Sequence, residues 1–202
     1  MIEGNNYDEI AWQVSRDSAA KFKEIDPVLK KMQVGSVLDI GCNAGEITRL
    51  AGKAGYFSVG FDKNPDFRGV DSPLENACIG NLELNEVTID KLPVFDAILL
   101  LSVHHQLINL YGDQWTKTIV SRLAEKAGKT LIIEFAALSR KYTEDGCALF
   151  VDNDQESITD YAQKWLNNVL PGWIISYIGK APNTRIEPYR FIFSCKRAFN
   201  KK

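Results

Sequence analysis

Apolar and polar positions alternate along this chain in blocks of two different periods. Phe95-Asp96-Ala97-Ile98-Leu99-Leu100-Leu101 is nearly continuous in apolar residues and too short for a stable helix, so it predicts a strand buried on both faces of a parallel sheet. Ser36 to Ile40, Tyr56 to Phe61, Ala77 to Gly80 and Lys129 to Glu134 read as shorter strands of the same sheet. Between them the spacing lengthens towards 3.6. Ile10, Ala11, Val14, Ala19, Phe22, Ile25, Val28 and Leu29 predict one or two leading helices over Tyr7 to Met32, bent near Asp26-Pro27. Further helices are expected from Glu46 onward, over Asp113 to Lys126, and over Ile158 to Leu170, where Pro171-Gly172 stops the last. Trp173 to Ile178 and Tyr189 to Cys195 are β-rich and predict an antiparallel hairpin. Residues 64–76 and 139–154 read as loops, the second lying over the site. Alternation of this kind defines an α/β fold with a mostly parallel sheet, helices on both faces and a closing hairpin. It occupies 1–202 as one domain, with a helical cap at 1–34, a ligand-binding half at 35–134 and an acceptor-side half at 135–202.

The richest chemistry falls where the first strand meets its helix. Gly41 and Gly45 punctuate this turn, and glycine tolerates positive φ or close approach of a ligand to bare backbone. A strand, a Gly turn and a helix N-terminus are expected to offer unpaired amides to a ligand. Asp39 lies just under the turn, and its carboxylate would repel a pyrophosphate while attracting an ammonium group. Asp62 ends the second strand roughly 20 residues past the glycines, the place from which an acidic side chain accepts ribose hydroxyls. His104 and His105, the two histidines of the protein, follow the central strand at the sheet edge where open α/β folds bind ligands.

Composition narrows the options. With 202 residues, 45% hydrophobic and 25% charged, the chain suits one soluble domain with a full core. A net charge of −2 and pI near 5.8 give no reason to expect a nucleic-acid partner. No apolar run approaches the ~20 residues of a membrane span, and the acidic start (Glu3, Asp8, Glu9) does not read as a targeting peptide. A cytoplasmic location is the expectation. Cys42, Cys78, Cys147 and Cys195 are too scattered to suggest a zinc site or a disulfide framework.

Leu38-Asp39-Ile40-Gly41-Cys42-Asn43-Ala44-Gly45 resembles the first motif of the class I S-adenosylmethionine-dependent methyltransferases in its Asp-x-Gly-Cys-x-x-Gly variant. The resemblance implies a Rossmann-like seven-stranded sheet and S-adenosylmethionine as cofactor, with S-adenosylhomocysteine as product. It further implies cofactor contacts from Asp39, Gly41, Cys42, Asn43, Gly45, Asp62 and Ser102, with Asn81 and Leu82 at the adenine. Tyr7, Trp12 and Arg16 of the leading helix, expected to lie across the first strand, are either contacts to the methionine moiety or a packed aromatic and a surface arginine.

The Asn/Asp-Pro-Pro-Tyr/Phe signature of amino-nucleobase methyltransferases does not follow the fourth strand. The run Leu100 to Gly112 (Leu-Leu-Ser-Val-His-His-Gln-Leu-Ile-Asn-Leu-Tyr-Gly), the Glu134 strand end and Pro182 to Arg190 resemble methyltransferases of sugars or terminal sugar phosphates. They also resemble the methyltransferase domain of a giant algal virus glycan-building protein. That resemblance implies O-methylation of a sugar or glycan hydroxyl, within a larger multidomain protein, with His105 as base, His104 as second choice and Glu134 orienting the histidine or binding the sugar. Arg140, Tyr142, Arg185, Tyr189 and Arg190 are further acceptor candidates, and no carboxylate cluster suggests a metal. A Rossmann oxidoreductase and a non-catalytic adenosine-binding scaffold remain as other classes.

Overall fold

The computed structural model describes residues 7–63, 76–136, 155–182 and 189–198. The side chains of 7–16, 155–157 and 189 fall outside that description, as do the expected loops at 64–75 and 139–154. In chain order the elements are α1 (Tyr7–Lys31), β1 (Ser36–Ile40), α2 (Glu46–Lys53), β2 (Phe57–Asp62), β3 (Ala77–Asn81), α3 (Glu86–Lys91) and β4 (Phe95–Leu100). They continue with α4 (His104–Tyr111), α5 (Asp113–Lys126), β5 (Ala127–Ala136), α6 (Gln155–Val169), β6 (Trp173–Pro182) and β7 (Tyr189–Arg197).

The seven strands form one sheet in the order β3-β2-β1-β4-β5-β7-β6. All neighbours are parallel up to β5, whereas β7 runs antiparallel to both β5 and β6. This is the predicted parallel sheet closed by a hairpin. Chain order reverses between β1 and β4, the switch point outside which α/β sheets bind ligands. The register brings Ile40, Phe61 and Leu100 to one level, and Leu100 pairs with Ile133. Gly41, Asp62, Ser102 and Glu134 therefore emerge along one edge.

Side-chain alternation along β4 builds two cores. Ile98 and Leu100 pack with Leu38, Leu131, Ile133, Phe135 and the inner faces of α3 to α6. Ala97, Leu99 and Leu101 point the other way, against Ile25 and Leu29 of α1 and Ile47 and Ala51 of α2. Because each residue from Ala97 to Leu101 meets one core or the other, no polar position interrupts the run between Asp96 and Ser102.

The structure departs from the sequence reading at three places. First, α1 passes through Pro27 as one helix, although proline removes a helical hydrogen bond. Asp26 is held on both sides of that gap, accepting from Tyr56 Oη at 2.8 Å and from Lys30 Nζ at 2.6 Å, while Ile25 and Leu29 are fully buried. Second, α1 packs chiefly on β6 and α2 rather than across β1. Third, two short helices join the pattern. α3 is started by a reciprocal cap, in which Asn85 Oδ1 accepts from the Thr88 amide and Thr88 Oγ1 accepts from the Asn85 amide. Such a cap stabilises a helix too short to show a period. α4 begins at His104, so both histidines occupy its first turn.

Candidate functional site

A cavity of about 350 Å³ opens at the switch point, lined by Gly41, Asn43, Asp62, Lys63, Leu82, Glu83, Leu84, Ser102 and Val103 among others. It falls within the ~300–1,000 Å³ of small-molecule sites. Of the sequence-predicted cofactor residues, Gly41, Asn43, Asp62, Leu82 and Ser102 line it. Asp39, Cys42, Gly45 and Asn81 are not among the lining residues. Asn81 Nδ2 donates to the Lys63 carbonyl at 2.6 Å. Sequence reasoning missed Glu83, Leu84, Gln106, Leu107, Leu110 and Tyr111, which also line the cavity. The last four lie on α4, an element the periodicity did not reveal.

The turn after β1 is bonded to itself and its neighbour. The Gly41 and Cys42 amides both donate to the Phe61 carbonyl, at 2.7 and 3.1 Å, and the Gly45 amide donates to the Cys42 carbonyl at 2.7 Å. Asp62 Oδ2 accepts from the Asn43 amide at 3.0 Å. The expectation of unpaired amides at these four residues is thus corrected: strand β2 supplies the partners of Gly41, Cys42 and Asn43, and the Cys42 carbonyl that of Gly45. A pyrophosphate would find no charge complementarity here, because Asp62 faces the same cavity. The glycines, too, make room for protein. A Cβ on Gly41, at φ 75°, would run into Val103, and one on Gly45, at φ 78°, into Ile79.

Asp39 is buried beneath the turn and accepts from Thr48 Oγ1 at 2.8 Å. Burial raises its pKa to about 6, against the opposing Thr48 hydrogen bond and the Lys21 charge. The Cys42 thiol is pushed up to about 12 by burial and by the Asp39 and Asp62 carboxylates, so it stays protonated and unreactive.

At the far end of the edge lies a buried polar cluster. Glu134 is fully buried at the carboxyl end of β5. Lys21 of α1 ion-pairs with Glu134 Oε2 at 2.8 Å and donates to Ser102 Oγ at 2.7 Å. Ser102 donates to Glu134 Oε1 at 3.0 Å, and Arg190 Nε stands 3.7 Å from the same oxygen. A carboxylate this deep requires such compensation. Glu134 is therefore placed by Lys21, Ser102 and Arg190, and Lys21 is a site residue that sequence reasoning missed. Nothing in the local sequence marks it, since a lysine one turn from Glu24 on an amphipathic helix reads as surface.

The two histidines diverge because consecutive helical residues point about 100° apart. His104 faces the core, with its ring 4.3 Å from Phe135 and edge-on to Trp165 at 4.6 Å. Its Nε2 has no hydrogen-bond partner among the described residues, and burial, then His105, lowers its pKa to about 3. His105 is also buried, but burial, then the charges of Arg190 and Lys21, lower it to about 3. The imidazole at 105 is thus neutral and lies within the field of Arg190 and Lys21; like His104 and Glu134, it is not among the residues that line the cavity. Arg140, Tyr142 and Arg185 lie outside the described residues, as do the side chains of Tyr7, Trp12, Arg16 and Tyr189. Among the described residues no group of three or more His, Cys, Asp or Glu is arranged to hold a metal ion, and no helix is long and apolar enough to cross a membrane.

Sheet order, hairpin and cavity position together define the class I methyltransferase fold. Among solved structures it resembles that of the bifunctional kinase-methyltransferase WbdD, at 21% identity and TM-score 0.65 over 90% of this chain. The chain spans 40% of the length of that protein. It also resembles magnesium protoporphyrin IX methyltransferase (ChlM) from Synechocystis PCC 6803 with bound S-adenosylhomocysteine, at 20% identity and TM-score 0.65, covering 98% of this chain and 90% of that one. The methyltransferase domain of a bacterial Hen1 matches at 12% identity and TM-score 0.57, over 88% of this chain and 97% of that one. No family model and no curated protein sequence matches the chain.

Proposed function

We propose that the protein is an S-adenosylmethionine-dependent O-methyltransferase acting on a hydroxyl of a sugar or glycan, as a methylating unit of a glycan-building system. The observation that carries this reading is a neutral, buried imidazole, His105, beside a nucleoside-sized cavity at the carboxyl edge of β4. The residues fit the cofactor. Asp62 offers a carboxylate for ribose hydroxyls, and Leu82, Leu84 and Leu107 offer an apolar slot for the base. When bound, S-adenosylmethionine supplies a methyl group on a positively charged sulfur.

Alignment of acceptor and methyl carbon supplies most of the rate in such a displacement. A hydroxyl also has a proton to lose, and a base taking it in the transition state contributes about 10²–10⁴-fold. At a pKa of about 3 His105 is too weak to deprotonate a resting hydroxyl. It accepts the proton as the new oxygen–carbon bond forms and the oxygen turns acidic. His104, walled in by Phe135 and Trp165, serves packing. Likeness to WbdD and ChlM supports methyl transfer, and the sequence resemblance to glycan methyltransferases, the viral domain included, supports the acceptor class.

The test is calorimetric titration with S-adenosylhomocysteine, followed by incubation with S-adenosylmethionine and a glycan panel read by mass spectrometry. Binding with a methyl gain on a glycan is expected. Absence of binding refutes the cofactor assignment, and binding without turnover on any hydroxyl acceptor favours the scaffold instead.

A further inference from the structure

We infer that Lys21 is a positioning residue whose clasp on Ser102 and Glu134 couples the seating of α1 to the shape of the cofactor cavity. The inference rests on the cofactor reading above. Lys21 is the described residue through which α1 reaches the functional edge, bridging to Ser102 across 81 positions of sequence. Its side chain is 12% exposed and that of Glu134 fully buried, so the contact belongs to the interior.

The partner matters as much as the bond. Ser102 lines the cavity and holds φ 58°, a left-handed conformation that costs a non-glycine residue free energy unless its surroundings enforce it. Two sets of contacts hold it, the donation of Gln106 Nε2 to its carbonyl at 3.0 Å and a closed triangle through its hydroxyl. Lys21 Nζ, Ser102 Oγ and the Glu134 carboxylate lie within 2.7 to 3.0 Å of one another. The bend at Ser102 in turn aims Val103, whose side chain covers Gly41 on the cavity floor. Removing Lys21 leaves a buried carboxylate with Arg190 at 3.7 Å and frees the bend to relax. A relaxed bend moves Val103 and lowers the fraction of molecules with a competent cavity, and apparent affinity falls by that fraction. Linkage is reciprocal, so bound ligand must also tighten α1.

Lys21→Met alone leaves the Glu134 charge with Arg190 at 3.7 Å and risks misfolding, so the main variant is Lys21→Met/Glu134→Gln, which removes that carboxylate as well, with urea unfolding to confirm that the fold tolerates the buried Arg190 without it. Calorimetric titration with S-adenosylhomocysteine should show about tenfold weaker binding than the parent. Hydrogen exchange should show that S-adenosylhomocysteine slows the α1 amides of residues 17–31 in the parent and not in this variant. Adding Ser102→Gly, which adopts the left-handed bend without an anchor, should restore most of the affinity. A role confined to packing α1 would not be rescued from residue 102. Parental affinity in the double variant, ligand protection of α1 that survives in it, or failure of Ser102→Gly to restore binding each overturns the inference while the cofactor reading stands. A parent that does not bind S-adenosylhomocysteine overturns the cofactor reading and the coupling with it.

Discussion

Replacing Asp62 tests the proposed ribose contact, and the variants must allow for the part its carboxylate plays in the turn after β1. Asp62 faces the cavity and its Oδ2 accepts from the Asn43 amide at 3.0 Å, while Asn43 sits at φ 49°. A hydrogen bond to a charged acceptor is worth about 1.5–3 kcal/mol. Losing two ribose hydroxyl contacts therefore costs about 3 kcal/mol, or about a hundredfold in affinity. Asp62→Ala also removes the Asn43 partner and loosens the turn, which adds about 1 kcal/mol at most. Asp62→Asn keeps one neutral oxygen and should lose less than alanine. The assay is calorimetric titration of parent and both variants with S-adenosylhomocysteine, alongside urea unfolding to confirm that the fold persists. The expected order of affinity is parent, then asparagine, then alanine. Unchanged affinity in a folded Asp62→Ala protein would refute the placement of the ribose at Asp62.

Gly41→Val meets both a positive φ and the Val103 side chain, so it should abolish S-adenosylhomocysteine binding, and normal binding by a folded variant would show that this turn is not the floor of the site. His105→Ala should bind the cofactor product like the parent but turn over about 10²–10⁴-fold more slowly, and near-parental rates would exclude it as the base. Because burial and the Arg190 and Lys21 charges hold His105 at about 3, parental activity should show no His105 limb between about pH 5 and about pH 8; a limb near 6 that disappears in His105→Ala would contradict the electrostatics described. His104 titrates at about 3 when folded against an ordinary 6.5, so the folded state binds fewer protons in that window and stability falls as pH drops from 6.5 towards 3. His104→Phe, compared with the parent by urea midpoints at about pH 7 and about pH 4.5, should lose about 2–3 kcal/mol less over that drop, and an equal loss in both would refute the buried neutral state.

What a sequence reveals depends on whether the causal contact is local. The sheet was legible because burial on both faces writes a nearly continuous apolar run, as in β4, and because the hairpin residues separate into two β-rich blocks. The short helices were not. α3 depends on two side chains, Asn85 and Thr88, closing a reciprocal cap, and α4 has barely two turns in which to show a period. Pro27 misled in the opposite direction, since proline marks a bend only where nothing else holds the helix. The Asp26 contacts with Tyr56 and Lys30 that hold it come partly from 30 residues away.

The same distinction decides the site. Gly41, Asp62 and Ser102 were placed correctly at the sheet edge because backbone position follows from strand ends. Their roles depended on partners from elsewhere. The glycine turn read as an open cradle until the Phe61 carbonyl took two of its amides, and an aspartate after a second strand looks alike in dehydrogenases and methyltransferases. The histidines make the point most directly. His104 and His105 are indistinguishable by position, yet one helical step of about 100° sends the first between Phe135 and Trp165 and the second towards Lys21 and Arg190. A proton acceptor must stay neutral and also face its donor. Burial meets the first condition for both rings, and only the direction of the second condition separates them. The charged groups that mark this direction come from α1 and β7, far from either histidine in sequence, so exchanging the fates of the two residues would require shifting α4 by one position rather than altering any residue near them.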